Sequence, residues 1–243
     1  MQKRPALMIP QLGESADAPF PDPESALRYP DGLLAWGGDL DPQRLRAAYH
    51  QGIFPWYCED QPILWWCPAR RAVLFPDAVH VSRRLARVLR QGRFRFTVNR
   101  AFEAVITGCA QPRGAQEGTW ITADMHHAYL RLHRAGLAHS VEAWQGERLA
   151  GGLYGISMGG VFFGESMFSA RRDASKAVLV TLCQHMLRNG YALLDCQISN
   201  PHLAAMGAVE IARPRFLRLL RKHADRPAPS FPSLFAPEPS AVD

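Results

Sequence analysis

The sequence predicts an α+β protein: a small N-terminal α/β domain followed by a larger domain with a mixed sheet in the order β-β-β-α-β-α. Three observations carry this prediction. Residues 139–168 form three apolar runs separated by the turn sequences Gln145-Gly146-Glu147 and Met158-Gly159-Gly160, the pattern of an antiparallel meander. Residues 174–188 then carry apolar side chains at helical spacing, and the short run Tyr191–Leu194 follows the helix-ending pair Asn189-Gly190. Upstream, three tryptophans and three other aromatics lie between residues 49 and 66, enough for a small aromatic core of their own. The expected divisions are 1–71, 72–225 and a proline-rich, disordered tail at 226–243.

Each element has a local reason. The first thirty residues are proline-rich and should be mostly extended. Gly32–Leu40 reads as a strand closing in the turn Gly37-Gly38. Asp41 and Pro42 start a helix as N-cap and first residue, and Gly52 ends it. Trp65 and Trp66 suit the aromatic core, whereas Trp56, in a turn after Pro55, suits an exposed stacking surface. A strand at Ala72–Phe75 leads to a helix capped by Ser82, with Leu85, Val88 and Leu89 inward. Arg83, Arg87 and Arg90 share its outer face. Seven arginines and no acid lie between 81 and 100, which favours a phosphate backbone over a plain solvated face. Strand Phe94–Val98, helix Arg100–Ala110, a polar loop at 111–118 and helix Ala123–His133 follow. Pro201–Met206 is a short helix capped by Asn200, and Pro214–Lys222 a last basic one.

The bulk numbers set the frame. The chain has 243 residues, 47% hydrophobic and 21% charged, with a net charge of +6 that suits an anionic partner. Its five cysteines are odd in number and lack CxxC spacing, so they read as reduced thiols. There is no signal-peptide core and no run of 18 apolar residues, so a soluble cytoplasmic protein is expected, without a membrane partner.

Two motifs mislead. Gly155-Ile156-Ser157-Met158-Gly159 matches the nucleophile elbow G-x-S-x-G, but an elbow needs a helix next, and Val161-Phe162-Phe163 starts another strand. His126 and His133 lack an acid at ligand spacing, so no metal site is expected.

The stretch of greatest chemical interest is Leu193-Leu194-Asp195-Cys196-Gln197-Ile198-Ser199-Asn200. In an extended strand Asp195 and Gln197 would face the same way, about 6–7 Å apart. A carboxylate in an apolar strand costs several kcal/mol unless it is paired or in use. On spacing alone, a cap or an internal hydrogen bond explains Asp195 as well as catalysis does. Glu165, in the glycine-thinned strand Phe162-Phe163-Gly164-Glu165-Ser166, poses the same question.

The β-β-β-α-β-α order resembles the acetyltransferase fold, whose CoA pyrophosphate sits on a glycine-containing loop at a helix N-terminus. The equivalent loop here, Ser169–Lys176, has no glycine, which argues for another acyl donor. Several motifs together resemble the bacterial leucyl/phenylalanyl-tRNA–protein transferases. They are Gly164-Glu165-Ser166-Met167-Phe168, Ala174-Ser175-Lys176, Leu194-Asp195-Cys196-Gln197, His202-Leu203, Gly207-Ala208 and Glu210-Ile211. Upstream, Trp36–Leu40, Tyr49, Gly52–Trp56, Ile63–Trp66, Pro68 with Arg71, and Trp120-Ile121-Thr122 match in the same order.

The resemblance implies transfer of Leu or Phe, and less readily Met, from aminoacyl-tRNA to proteins with N-terminal Arg or Lys. The product is a degradation signal, and no metal or redox cofactor is needed. It gives Asp195 the task of assisting the attacking amine, with Gln197 as relay or positioning partner. Glu165 and Asn200 would hold the acceptor, and Leu153, Phe162, Met167 and Leu194 would form the amino-acid pocket. Trp56, Trp120 and Tyr49 would meet the tRNA's terminal adenosine, and Arg83, Arg87 and Arg90 its phosphates. An activated ester needs no protein nucleophile, in keeping with the discounted Ser157. The competing readings are an acyltransferase of related fold acting on another amine, and a tRNA-binding module without chemistry.

Overall fold

The computed structural model describes residues 9–15, 17–111, 119–227 and 231. A four-stranded sheet holds β1 (Gln11–Leu12), β2 (Leu33–Gly37), β3 (Phe54–Pro55) and β4 (Leu64–Trp66) in the order β1-β2-β4-β3. Helix α1 (Pro42–His50) begins as its residues dictate, with the Asp41 carboxylate accepting from the Gln43 amide at 2.8 Å and proline at the first position.

The second sheet has seven strands: β5 (Arg70–Leu74), β6 (Arg95–Val98), β7 (Ala138–Gln145), β8 (Arg148–Met158), β9 (Val161–Ser169), β10 (Leu193–Asp195) and β11 (Val209–Ala212). Their order is β11-β5-β10-β9-β8-β7-β6. The meander β7-β8-β9, helix α5 (Ala174–Arg188), β10 and helix α6 (Pro201–Ala205) reproduce the expected β-β-β-α-β-α succession.

Period-two alternation divides the core between the two faces of this sheet. Leu74, Val141, Leu153, Phe162 and Leu194 cluster with α5 and with Leu85 and Val88 of α2 (Arg83–Arg90). Val73, Tyr154, Ile156, Phe163 and Leu193 cluster instead with the small sheet, α1, α3 (Phe102–Ala110), α4 (Ala123–Arg134) and α7 (Arg213–His223). The aromatic cluster is therefore part of the core under the large sheet. Trp65 is fully buried, and half-buried Trp66 meets Trp56 edge to face at 5.7 Å.

Three features place the site. β10 pairs in parallel with β9 over Leu193–Asp195 and then stops, whereas β9 runs on to Ser169, so the two strands part beyond Phe163. β8 and β9 shift register between the pairs Tyr154–Ser166 and Gly155–Gly164, which leaves Glu165 as the extra residue of a β-bulge. Gln197 takes a left-handed backbone, φ 53°, outside the strand. This corrects the expectation that Asp195 and Gln197 share one strand face, because the chain turns immediately after Asp195. Strands β1, β3, β4 and β11 have no counterpart in the sequence reading, and α3 starts two residues later than its sequence suggests.

Ser157 sits in the β8–β9 hairpin, its hydroxyl 2.8 Å from that of Tyr191. His126 lies 3.2 Å from the Thr107 hydroxyl, and His133 stacks on Phe102 at 4.1 Å. Residues 112–118 of the polar loop, 1–8 of the proline-rich start, and 228–230 and 232–243 of the expected tail lie outside the described residues. Phe231, within that tail, is only 2% exposed.

Candidate active site

Where β9 and β10 part, a cavity of about 480 Å³ opens. Leu153 of β8, Met167 of β9, Leu179 of α5 and Leu194 of β10 form its apolar side. Glu165, Gln197, Asn200 and His202 supply polar groups, and Trp56 and Trp120 line it as well. Trp56 keeps 42% of its surface exposed, so its ring is available for stacking.

The buried centre of the charge network is Asp195, which is fully buried. Its Oδ1 accepts from Arg71 Nε at 2.8 Å and its Oδ2 from Arg71 Nη2 at 2.7 Å, a two-pronged ion pair. Arg71 enters at the start of β5 and is itself 1% exposed, with its guanidinium 4.7 Å from the Phe54 ring centre and 4.5 Å from that of Phe216. Asp195 Oδ1 also accepts from the Gln197 amide at 3.0 Å, a bond that the left-handed turn makes possible. Asp195 does not line the cavity, whereas its chain neighbours Leu194 and Cys196 and the Gln197 it holds do.

Glu165 is the carboxylate in the cavity. Gln197 Nε2 donates to its Oε1 at 3.0 Å and the Tyr129 hydroxyl to its Oε2 at 2.6 Å, while the Tyr49 and Tyr129 hydroxyls meet at 2.5 Å. Burial pushes the Glu165 carboxyl up to about 7. The tyrosine hydroxyls and the Arg71 charge pull it down, and the negative charge of Asp195 adds to the rise.

The cavity brings together most of the residues named from the sequence: Trp56, Trp120, Leu153, Glu165, Met167, Leu194, Gln197 and Asn200. Asn200 also caps α6, its Oδ1 accepting from the Leu203 amide at 2.9 Å. The other six named residues, Asp195 among them, do not line the cavity. Tyr49 is wholly buried on the inner face of α1, its ring 5.1 Å from Phe163, so it has no face free for a base. Phe162 is fully buried, clustering with the cavity-lining Leu153, Leu179 and Leu194 without lining the space itself. Arg83, Arg87 and Arg90 are exposed on α2. Between them, Arg84 is tied to Asp173 at 2.5 Å, and Asp173 heads α5 with φ 69°. The Ser175 amide in the first turn of α5 donates to the Ser169 hydroxyl at 3.2 Å, so this glycine-free loop has one helix-start amide already taken.

The sequence alone assigns no role to Arg71, Tyr129 or Leu179. The signal for Arg71 was an arginine at the edge of the apolar strand Ala72–Phe75, since a buried cation needs a buried acid. Tyr129 and Leu179 stand at helical positions that ordinary core residues also occupy.

The comparisons with known proteins place this mixed sheet, with its apolar slot and the carboxylate in it, among the acyl-transferring enzymes. The family model described as "Leucyl/phenylalanyl-tRNA protein transferase" matches residues 73–221, and the model of that family's N-terminal domain matches residues 38–69. A leucyl/phenylalanyl-tRNA–protein transferase of Chromohalobacter salexigens is 57% identical over 234 residues, 96% of this chain and 90% of its own length. Those of Stutzerimonas stutzeri and Pseudomonas aeruginosa are each 56% identical over 87% of this chain, covering 94% and 93% of their own lengths. The chain belongs to the leucyl/phenylalanyl-tRNA–protein transferase family and is an aminoacyltransferase.

Proposed function

We propose that this enzyme transfers Leu or Phe, and less readily Met, from aminoacyl-tRNA to the α-amino group of proteins that begin with Arg or Lys, in the cytoplasm, and that the product is a degradation signal. The observation that carries the reading is the cavity itself: an apolar slot, a carboxylate held near pH 7 and two tryptophans in one space. Leu and Phe are unbranched at Cβ and can enter a slot between β8, β10 and α5. Val and Ile are wide and stiff at their base. Trp56 and Trp120 stack on the terminal adenosine, a contact worth about 1–3 kcal/mol per base.

The chemistry needs a neutral amine. An N-terminal ammonium with a pKa of about 7.7–8.0 lies within roughly one unit of Glu165, so moving its proton costs about 1 kcal/mol. Glu165 takes that proton. The amine nitrogen then attacks the ester carbonyl, the C–N bond forms, and the bond from the carbonyl carbon to the ribose oxygen breaks. The ribose oxygen leaves with the second amine proton. Asp195, closed off by Arg71, acts as a positioning residue: it fixes the Gln197 backbone, and Gln197 in turn holds Glu165. Asn200 and Glu165 receive the acceptor's amine and cationic side chain at the cavity edge.

The test mixes Leu-tRNA with peptides beginning Arg, Lys or Ala and follows the labelled leucine. Transfer to the Arg and Lys peptides alone is the expected result. Binding of tRNA without transfer to any peptide would discard the reading in favour of a tRNA-binding module.

A further inference from the structure

We infer that Phe231, in the C-terminal segment, is a positioning residue that sets the depth of the amino-acid pocket through Phe162. The inference rests on reading the cavity as the pocket for the transferred side chain. Residue 231 lies past the stretch that the family model matches, which ends at residue 221.

The argument follows one face of the large sheet. Phe162 and Leu194 are register partners on the parallel strands β9 and β10, so their side chains project from the same face. On β8, Gly155 is what lets the Phe162 ring lie across the sheet: a Cβ there would stand 2.6 Å from Phe162 Cε1 and 2.8 Å from its Cζ. His139 on β7 is the register partner of Gly155. The Phe231 ring closes over this row, 4.8 Å from Phe162 at 22° and 4.7 Å from His139 at 23°. Phe162 belongs to one core cluster with Leu153, Leu179 and Leu194, the residues that line the cavity. One row on this face of the sheet therefore leads from the cavity-lining Leu153 and Leu194 to Phe162, with Phe231 stacked on it.

A large ring stacked on Phe162 acts as a stop. Interiors are packed to crystal-like density, so a neighbour moves only where space exists. Removing the Phe231 ring opens room into which Phe162 can tilt, and the slot deepens. A deeper slot loses contact with Leu and gains room for Phe. A filler with no effect on the pocket would change stability and leave the choice between substrates alone.

The experiment measures kcat/KM of the full-length enzyme with Leu-tRNA and with Phe-tRNA, using one Arg-initiated peptide, for the wild type, Phe231→Ala and Phe231→Met. Pocket differences of one methylene change selectivity by about 10–200-fold, and through an intervening ring we expect a Phe:Leu ratio raised about fivefold in Phe231→Ala. Phe231→Met, which refills the space, should return the ratio to within about twofold of wild type. If Phe231→Ala does not fold, Phe231→Val takes its place with the same expectation. Equal losses with both substrates overturn the inference while leaving the transferase reading intact. A wild-type enzyme that transfers neither residue removes the pocket reading, and the inference with it.

Discussion

Glu165 occupies the one position in β9 that the ladder does not hold, and its chemistry follows from that. The bulge turns it toward the cavity, burial raises its pKa to about 7, and Gln197 and Tyr129 fix both its oxygens. A group of this kind gives kcat/KM a rising limb centred near pH 7. Glu165→Gln should flatten that limb and lower kcat/KM by about 10²–10⁴-fold, read from a pH–rate profile. A limb of unchanged midpoint in the variant would mean that another group titrates. The stability effect has a definite sign. Between pH 4.5 and about 7 the folded chain keeps a proton at Glu165 that the unfolded chain releases, so this group's contribution to stability falls as pH rises through that window. Asp195 has a structural task instead, because its partner is a buried cation. Asp195→Asn leaves the Arg71 charge uncompensated and should cost about 3–5 kcal/mol in a urea titration, a loss that Glu165→Gln does not share. The sequence already required a partner or a use for an acid in an apolar strand. It could not say which, because Arg71 lies 124 residues upstream and only the β5–β10 pairing brings the two together.

At the scale of elements, α2 separates two kinds of arginine. All four of Arg83, Arg84, Arg87 and Arg90 are exposed, but Arg84 is paired with Asp173 at the head of α5. Each exposed arginine that neutralises one phosphate contributes about 0.7–0.9 to the slope of log K against log salt. Arg83→Ala should lower the measured slope by that amount with little change in single-turnover rate, and Arg84→Ala should leave the slope near its wild-type value. Equal slope changes in the two variants would show that the Asp173 pair opens when tRNA binds. Helix α2 was readable because an apolar stripe and an arginine face coincide at period 3.6, with Ser82 at the start. The meander was readable from its alternation and its two glycine turns. The short strands were not: β1 and β3 have two residues each, too few to display any period. The left-handed Gln197 also left no trace, since glutamine has no special leaning toward that conformation and tertiary bonds impose it. For that reason the sequence could name Asp195 and Gln197 but not their relation, which is a backbone turn and not a shared strand face.

Across the whole molecule, the small sheet and one face of the large sheet share a single core. Leu45, Tyr49 and Trp65 from the first seventy residues cluster with Tyr154, Phe163 and Phe216 from the rest. The Arg71–Asp195 pair crosses the same junction, with Phe54 on one side of the guanidinium and Phe216 on the other. Gly52 lies on this seam at φ 76°, and a Cβ added there would stand 2.8 Å from Phe216 Cε1 and 2.9 Å from Leu217 Cδ2. A side chain at this position suffers twice, from backbone strain and from overpacking that typically costs about 1–3 kcal/mol. Units that share buried side chains and a buried ion pair should unfold together, since neither keeps its core when the other leaves. Four of the six tryptophans lie before residue 72, so fluorescence reports chiefly on the small sheet, while far-UV circular dichroism reports on the larger one. The two signals should therefore trace one transition on heating. Gly52→Ala should lower the midpoint of both by the same amount, because the damage lies in a core that both sheets use. A fluorescence transition that moves down while the dichroism transition stays in place would show instead that the small sheet folds and melts on its own core.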